Sequence, residues 1–297
     1  MPKSLADLGT PLRPLLILNA QASGAGADPA LESRLTEHFP QAILVRPNTP
    51  DEAIAAIRSR EESVDAILVG GGDGSVSSIL VPLIESGLPL GVLPLGTAND
   101  FARSIGLSDL ESAIAAIASG AICAVDVGEA NGRLFLNTIA LGLPAVAARD
   151  LTADLKKRLG MFAAAAVIPK ILRQGRGFSV EIADAAGTVK VENCIAVLAG
   201  VGRYMGGFPV AYRDLADGLL HLVAARARSW REVLSILGSA LIRRLPDDWN
   251  VTERATVACT LRTSRPLDVA LDGDIAFKTP VELRIRPGAI RVYSGNY

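Results

Sequence analysis

The sequence is poor in the residues on which several functional classes depend. It has three cysteines and two histidines in 297 residues. Cys123, Cys194 and Cys259 stand far apart among alanines, valines and isoleucines, with no CxxC and no neighbouring histidine. That spacing argues against a disulfide framework, a zinc cluster or a thiol nucleophile, and the three read as buried reduced thiols of a cytosolic chain. His38 and His221 have no ligand-type neighbour at useful spacing and read as structural. Aromatic residues make up only 4%, and Trp230 and Trp249 read as packing residues, not as a base-stacking platform. An excess of one charge is also missing: 30 Lys plus Arg face 31 Asp plus Glu, for a net charge of -1. A globally basic protein drawn to nucleic acid or an anionic bilayer is therefore excluded. No apolar run approaches the ~20 residues that cross a bilayer. Leu15 to Leu18 is too brief for a secretory leader, and Pro169 and Lys170 interrupt the stretch from Leu159 to Leu172. A soluble, cytoplasmic protein without a transmembrane segment is expected.

What is present points to two packed domains. Apolar residues reach 49% and charged ones 21%, and at about 150 residues per domain the length favours two. Over residues 1–128, β-rich runs (Leu15 to Asn19, Ala42 to Val45, Ala66 to Val69, Leu90 to Leu93) alternate with helical patterns (Pro29 to Phe39, Pro50 to Arg60, Ser75 to Glu85, Asn99 to Ile105, Leu110 to Ala118). This alternation predicts an α/β domain with a parallel sheet. Over residues 129–297, period-two segments dominate: Leu134 to Thr138, Phe178 to Ile182, Val189 to Leu198, Leu219 to Ala224, Ala255 to Leu261, Leu267 to Leu271 and Val281 to Ile285. These predict a second, antiparallel β-rich domain. Two helical inserts are expected within it, Ala153 to Leu172 and Trp230 to Leu245.

Chemistry concentrates in the turns of the first half. A buried strand runs into Gly70-Gly71-Gly72-Asp73-Gly74-Ser75-Val76, where glycines let backbone amides approach an anion and a helix start adds partial positive charge. Asp73 beside an anion is unfavourable unless a cation or a proton transfer compensates it, so a plain geometric turn does not account for it. One βα unit later, Gly96-Thr97-Ala98-Asn99-Asp100 repeats the pattern of strand, hydroxyl turn and helix start. An ordinary helix cap explains one of Thr97, Asn99 and Asp100, but not all three. A third loop, Asn19 to Gly26 with Ser23, follows the first strand. All three fall at the carboxyl edge of a parallel sheet, where open α/β folds bind ligands, and together they suggest a nucleotide triphosphate. Neither the P-loop nor the GxGxxG spacing occurs.

The series Asn19-x-x-x-Ser23-Gly-x-Gly26, Gly71-Gly-Asp-Gly-Ser75 and Gly96-Thr-Ala-Asn-Asp-Phe-Ala-Arg103 resembles the diacylglycerol kinase catalytic-domain family, which includes bacterial soluble lipid kinases and is related to sphingosine and ceramide kinases. The likeness extends to Phe135 to Gly142, to Gly206-Gly207, to Asp217-Gly-Leu-Leu220 and to Leu271-Asp-Gly-Asp274. It implies an NAD kinase-like or phosphofructokinase-like α/β domain beside a β-sandwich, and an ATP-dependent lipid kinase. Carried over by position, it implies ATP contacts from Asn19, Ser23, Gly70 to Val76, Gly96, Thr97 and Asn99, with Asp73 and Asp100 organising Mg²⁺ and phosphates. Asp274 takes the place of the family's glutamate base, and Asp214, Asp217 and the Leu219 carbonyl would hold a structural Mg²⁺. The implied partner is a lipid at a membrane surface, reached by peripheral contact at the inner face and without nucleic acid; a homodimer stays open.

Several positions depart from the pattern. Ala20 replaces a proline, Ser75 a threonine and Asp274 a glutamate. The last change shortens a base that must come within ~2.6 to 3.2 Å of a hydroxyl. The family's threonine after the second strand has no clean match, Pro47 standing nearest and Thr49 only with a shift. The basic cluster Lys156, Lys157 and Arg158 beside an apolar helical stretch could meet anionic headgroups, although an apolar helix face more often packs on its own sheet. Two rival readings are a soluble-substrate kinase of the NAD kinase type, against which the second glycine string argues, and a catalytically silent nucleotide-binding relative, which Asp274 leaves open.

Overall fold

The structure is a computed structural model that describes residues 12–19, 29–150, 177–205, 208–209, 214–227, 232 and 251–295. In chain order its elements begin β1 (Pro14–Leu18), α1 (Pro29–His38), β2 (Ile43–Val45), α2 (Pro50–Arg58), β3 (Ala66–Gly71), α3 (Asp73–Ser77), α4 (Leu80–Ser86), β4 (Leu90–Pro94), α5 (Asp100–Ser104) and α6 (Leu110–Ser119). There follow β5 (Ile122–Ala130), β6 (Arg133–Phe135), β7 (Thr138–Gly142), α7 (Leu143–Asp150), β8 (Phe178–Asp184), β9 (Gly187–Gly200), β10 (Tyr204–Met205), β11 (Phe208–Pro209) and β12 (Leu220–Arg226). The series closes with β13 (Val251–Thr256), β14 (Ala258–Thr263), β15 (Asp268–Leu271), β16 (Asp274–Lys278) and β17 (Val281–Tyr293).

The amino-terminal half is an α/β domain in which β2, β1, β3 and β4 lie parallel and side by side. β1 and β3 are buried along their whole length, as expected of parallel strands covered on both faces. Local chemistry starts the helices: Thr49 accepts the Glu52 amide to cap α2, with Pro50 in the first turn, and Asp109 with Ser112 forms a capping box on α6. Thr49 is thus used as a helix cap.

The expected helix from Ser75 to Glu85 divides into α3 and α4. Pro82 explains the break. In one continuous helix its missing N–H would leave a carbonyl unpaired, whereas a restart at Leu80 puts it in a first turn, where that N–H has no intrahelical partner.

The carboxyl-terminal half is β-rich. β9 pairs antiparallel with β7, β8 and β12, and β15 joins β7 to β16. The expected strand Leu134 to Thr138 is broken between β6 and β7 at Leu136 and Asn137, and the expected strand Ala255 to Leu261 is broken at Val257. β5, β16 and α7 were not expected from the periodicity. The two helical inserts, apart from Glu232, and with them Lys156 to Arg158, Trp230 and Trp249, lie outside the described residues.

Among the described residues two large hydrophobic cores form, beside a small cluster of Ala140, Ala145 and Ala270. One gathers Leu16, Leu68, Phe101 and Ile114 around the parallel sheet; the other gathers Phe135, Val180, Val197 and Leu261 in the β-rich half. β17 serves both: Leu283 and Ile285 belong to the second core, whereas Ile290, Val292 and Tyr293 belong to the first, and Val292 pairs in parallel with Leu90 of β4. Of the thiols, Cys194 and Cys259 are buried and free, and burial raises them to about 11 and about 12. Cys123 is only half-buried, because it lies at the start of β5 beside Val292 near the rim of the sheet.

Candidate active site

The carboxyl edge of the parallel sheet brings the second and third predicted turns together with Asn19, the first residue of the first. Asn19, just past β1, donates from Nδ2 to Ser75 Oγ at 2.9 Å, which ties the end of β1 to the second turn. Ser23 lies outside the described residues. The second and third turns meet at their glycines, where a Cβ on Gly96 would come within 2.4 Å of the Gly72 Cα; within the second turn, a Cβ on Gly71 would come within 2.4 Å of Ser75 Oγ. At these two positions the close approach itself excludes a side chain. Gly74, by contrast, is exposed, and a Cβ there would meet nothing within 4 Å, so the outer face of the turn is open. Thr97 is likewise exposed, whereas the Val76 side chain is buried in the core.

The acids and amides of these turns are largely engaged with each other. Asp73 Oδ2 accepts the Asp100 amide at 3.0 Å, and Oδ1 accepts the Phe101 amide at 2.8 Å and Asn137 Nδ2 at 3.2 Å. Asp73 therefore caps α5 from the neighbouring turn, and three of a carboxylate's roughly four lone-pair sites are used. Asn99 takes a left-handed conformation at φ 50°. Its side chain accepts the Gly96 amide and donates to the Gly96 carbonyl, closing the turn on itself. Asp100 is buried at 5% exposure. Arg103, one turn further along α5, stacks on the Tyr204 ring of β10 at 5.0 Å.

Asp272 and Asp274 have different surroundings. Asp272 Oδ2 accepts Ser77 Oγ at 2.7 Å and the Leu136 amide at 2.8 Å, and Oδ1 accepts the Asn137 and Thr138 amides at 2.8 and 3.0 Å. Burial pushes this carboxyl up while the donors pull it down. With its lone pairs filled, it has none free to take a substrate proton. Asp274 is exposed at the start of β16, opposite Leu271.

The loop expected to hold a structural cation is pinned from below. Asp126, 2% exposed, accepts the Gly218 and Gly288 amides, each at 2.7 Å. Within the loop, Asp214 accepts the Ala216 amide, and Asp217 accepts the Leu219 amide on Oδ1 and meets His221 Nε2 at 2.7 Å on Oδ2. Two carboxylates and a carbonyl are a hard-oxygen set suited to Mg²⁺, but His221 competes for one of those oxygens. Among the described residues, no group of three or more His, Cys, Asp or Glu side chains is placed to hold a metal ion.

Sequence reasoning did not place Ser77, Asn137, Asp126 or His221 in this network. Only His221, four residues after Asp217 across a turn into a strand, carried a local signal.

Comparison with known proteins identifies the family of the chain. The model of the diacylglycerol kinase catalytic domain matches residues 13–130. A Pseudomonas fluorescens protein named "Probable lipid kinase YegS-like" is 32% identical over 255 residues, covering 82% of this chain and 79% of that one. An uncharacterized Synechocystis protein is 26% identical over 82% of this chain, and the match spans 59% of that longer protein. A solved structure from Bacillus anthracis str. Sterne, described as a "putative diacylglycerol kinase", superposes with a TM-score of 0.80 at 25% identity, covering 96% of each chain. No described helix is long and apolar enough to cross a membrane.

Proposed function

Because this chain belongs to the diacylglycerol kinase catalytic-domain family, we propose that it is an ATP-dependent lipid kinase, transferring the γ-phosphoryl group to a lipid hydroxyl such as that of diacylglycerol. The observation that carries this reading is the meeting of the two glycine turns and Asn19 at one sheet edge, with Gly74 and Thr97 exposed and Asp73 bonded to the start of α5.

In this reading the backbone of residues 70–76 and of Gly96, the Thr97 hydroxyl and the Asn19–Ser75 pair cradle the nucleotide phosphates. The Asn99 side chain, closed on Gly96, keeps that turn rigid. Catalysis then rests on positioning more than on covalent chemistry, as expected of phosphoryl transfer. The lipid hydroxyl oxygen bonds to the γ-phosphorus, the bond from phosphorus to the β–γ bridging oxygen breaks, and ADP departs. Asp274, exposed and on the β-rich side, takes the hydroxyl proton; general-base assistance of this kind contributes about 10² to 10⁴-fold. Mg²⁺, when bound, neutralises phosphate charge. Asp73, which has a lone pair to spare, and Asp100 would hold it with water filling the remaining positions. Asp214, Asp217 and the Leu219 carbonyl would hold a second, structural ion once Asp217 releases His221. The acceptor is reached by peripheral contact with a lipid surface on the cytoplasmic side.

The test is incubation of the protein with extracted total lipids, Mg²⁺ and γ-labelled ATP, followed by identification of the labelled product. A labelled lipid supports the reading. Label on NAD alone, or nucleotide bound without turnover on any lipid, overturns it.

A further inference from the structure

Helix α3 reaches the β-rich half through two side chains four residues apart. Asp73 Oδ1 receives Asn137 Nδ2 at 3.2 Å, and Ser77 Oγ donates to Asp272 Oδ2 at 2.7 Å. The receiving groups are themselves joined, since the Asn137 amide donates to Asp272 Oδ1 at 2.8 Å. The result is a closed ring of Asp73, Asn137, Asp272 and Ser77, completed by the backbone of α3. On one side the ring holds the nucleotide-facing turn; on the other it holds the turn that carries Asp274.

Asn137 shows what the ring demands. The residue is 3% exposed, and its carbonyl oxygen accepts the Val201 and Gly202 amides. Its side-chain Oδ1 has no hydrogen-bond partner among the described residues. Buried polar atoms are rarely left this way, and one that is needs a reason. The reason is at the other end of the amide. Reversing it would set Oδ1 against the Asp73 carboxylate, an aspartate would place two carboxylates together, and a leucine of similar shape would remove the donor. Asparagine in this orientation offers Asp73 its third hydrogen bond.

We propose that Asn137 and Ser77 are positioning residues that hold the Asp73 turn and the Asp272-Gly273-Asp274 turn in fixed relation during phosphoryl transfer, an inference that rests on the kinase reading above. Neither residue touches substrate. Their effect is on how well donor and acceptor are aligned, not on whether either binds.

The experiment compares wild type with Asn137→Ala, Ser77→Ala and the conservative Ser77→Thr in three measurements: ATP affinity by calorimetry, steady-state kinetics with the labelled lipid, and amide hydrogen exchange. Asn137→Ala and Ser77→Ala should each lower kcat about tenfold, within the roughly 10²-fold that a 1 Å misplacement can cost. KM for ATP and for the lipid should stay within about twofold, and Ser77→Thr should restore kcat. Exchange should quicken across the divide by at least about threefold: at Leu136 to Thr138 in Ser77→Ala, and at Asp100 and Phe101 in Asn137→Ala. Unchanged kcat in an active enzyme, or a loss expressed as raised KM, overturns the positioning role. If wild type labels no lipid, the kinase reading fails by itself, and exchange alone judges the ring: rates unaltered on the far side would refute it. Should Asn137→Ala not fold, the two Ser77 variants carry the same test.

Discussion

Asp73 and Phe101 are 28 residues apart in the chain and are joined at 2.8 Å, the Phe101 amide donating to Asp73 Oδ1. The acid of the first glycine turn is thereby the cap of the helix opened by the second, and any change at Asp73 acts on both. Asp73→Asn keeps one acceptor oxygen but turns an NH₂ group toward a backbone N–H. It should lose about 1–3 kcal/mol in urea unfolding and at least about tenfold in phosphoryl transfer. Full turnover would remove Asp73 from the active site.

Asp272 and Asp274, two residues apart, should separate cleanly. Asp274 is exposed, so Asp274→Asn should leave the melting temperature unchanged while cutting turnover at least about tenfold. Asp272→Ala strands four donors and should cost about 3 kcal/mol or more in stability. Differential scanning calorimetry beside the kinase assay distinguishes them; equal destabilisation by both variants would contradict the assignment.

Much of the parallel domain was legible because its signals are local. Buried runs such as Leu15 to Leu18 and Ala66 to Val69 announce strands, and the turns that follow them must share one edge of a parallel sheet. Pro82 carried the break between α3 and α4 in plain view. Other features had no local mark. β16 is short and mostly exposed, β5 interleaves Asp126, Gly128 and Glu129 with its apolar residues, and Asn137 lies in the turn that broke an apparently continuous strand. The partners of Asn137 lie 64 and 135 residues away in the chain, a distance over which periodicity says nothing. Asp272 stood in a motif, but only the fold shows its carboxylate filled by donors and Asp274 left open.

Gly96→Ala tests the closeness of the two turns. The added Cβ would come within 2.4 Å of the Gly72 Cα and 2.7 Å of Asn99 Oδ1, and since the first contact is with backbone, the turns must part. A loss of about 2–4 kcal/mol is expected, together with weakened ATP binding by calorimetry. Gly74→Ala, facing open space, should cost less than about 1 kcal/mol.

Acid should find a specific weak point in the β-rich half. Asp184 accepts Arg254 Nε at 2.6 Å and a second guanidinium nitrogen at 2.5 Å, and this pairing holds its carboxyl down at about 2, below the ordinary 3.8. A carboxyl depressed in the folded state stabilises it fully above the unfolded value and loses that contribution as pH falls through the folded one. Between about pH 4 and pH 2, the urea midpoint of wild type should therefore fall more steeply than that of Asp184→Asn. Parallel slopes would show that the pair contributes nothing to the linkage.

β17 gives the order of synthesis a physical meaning. Leu90 meets its partner on one side only when Val292 arrives, and at roughly 5–20 residues per second the intervening chain takes about 10–40 seconds to be made. Until then the Leu90 end of β4 lacks the neighbour it has in the finished sheet, and unpaired strand backbone can pair with other chains. The nascent chain, still held by the ribosome, thus carries an unfinished sheet edge at Leu90 until translation reaches residue 292.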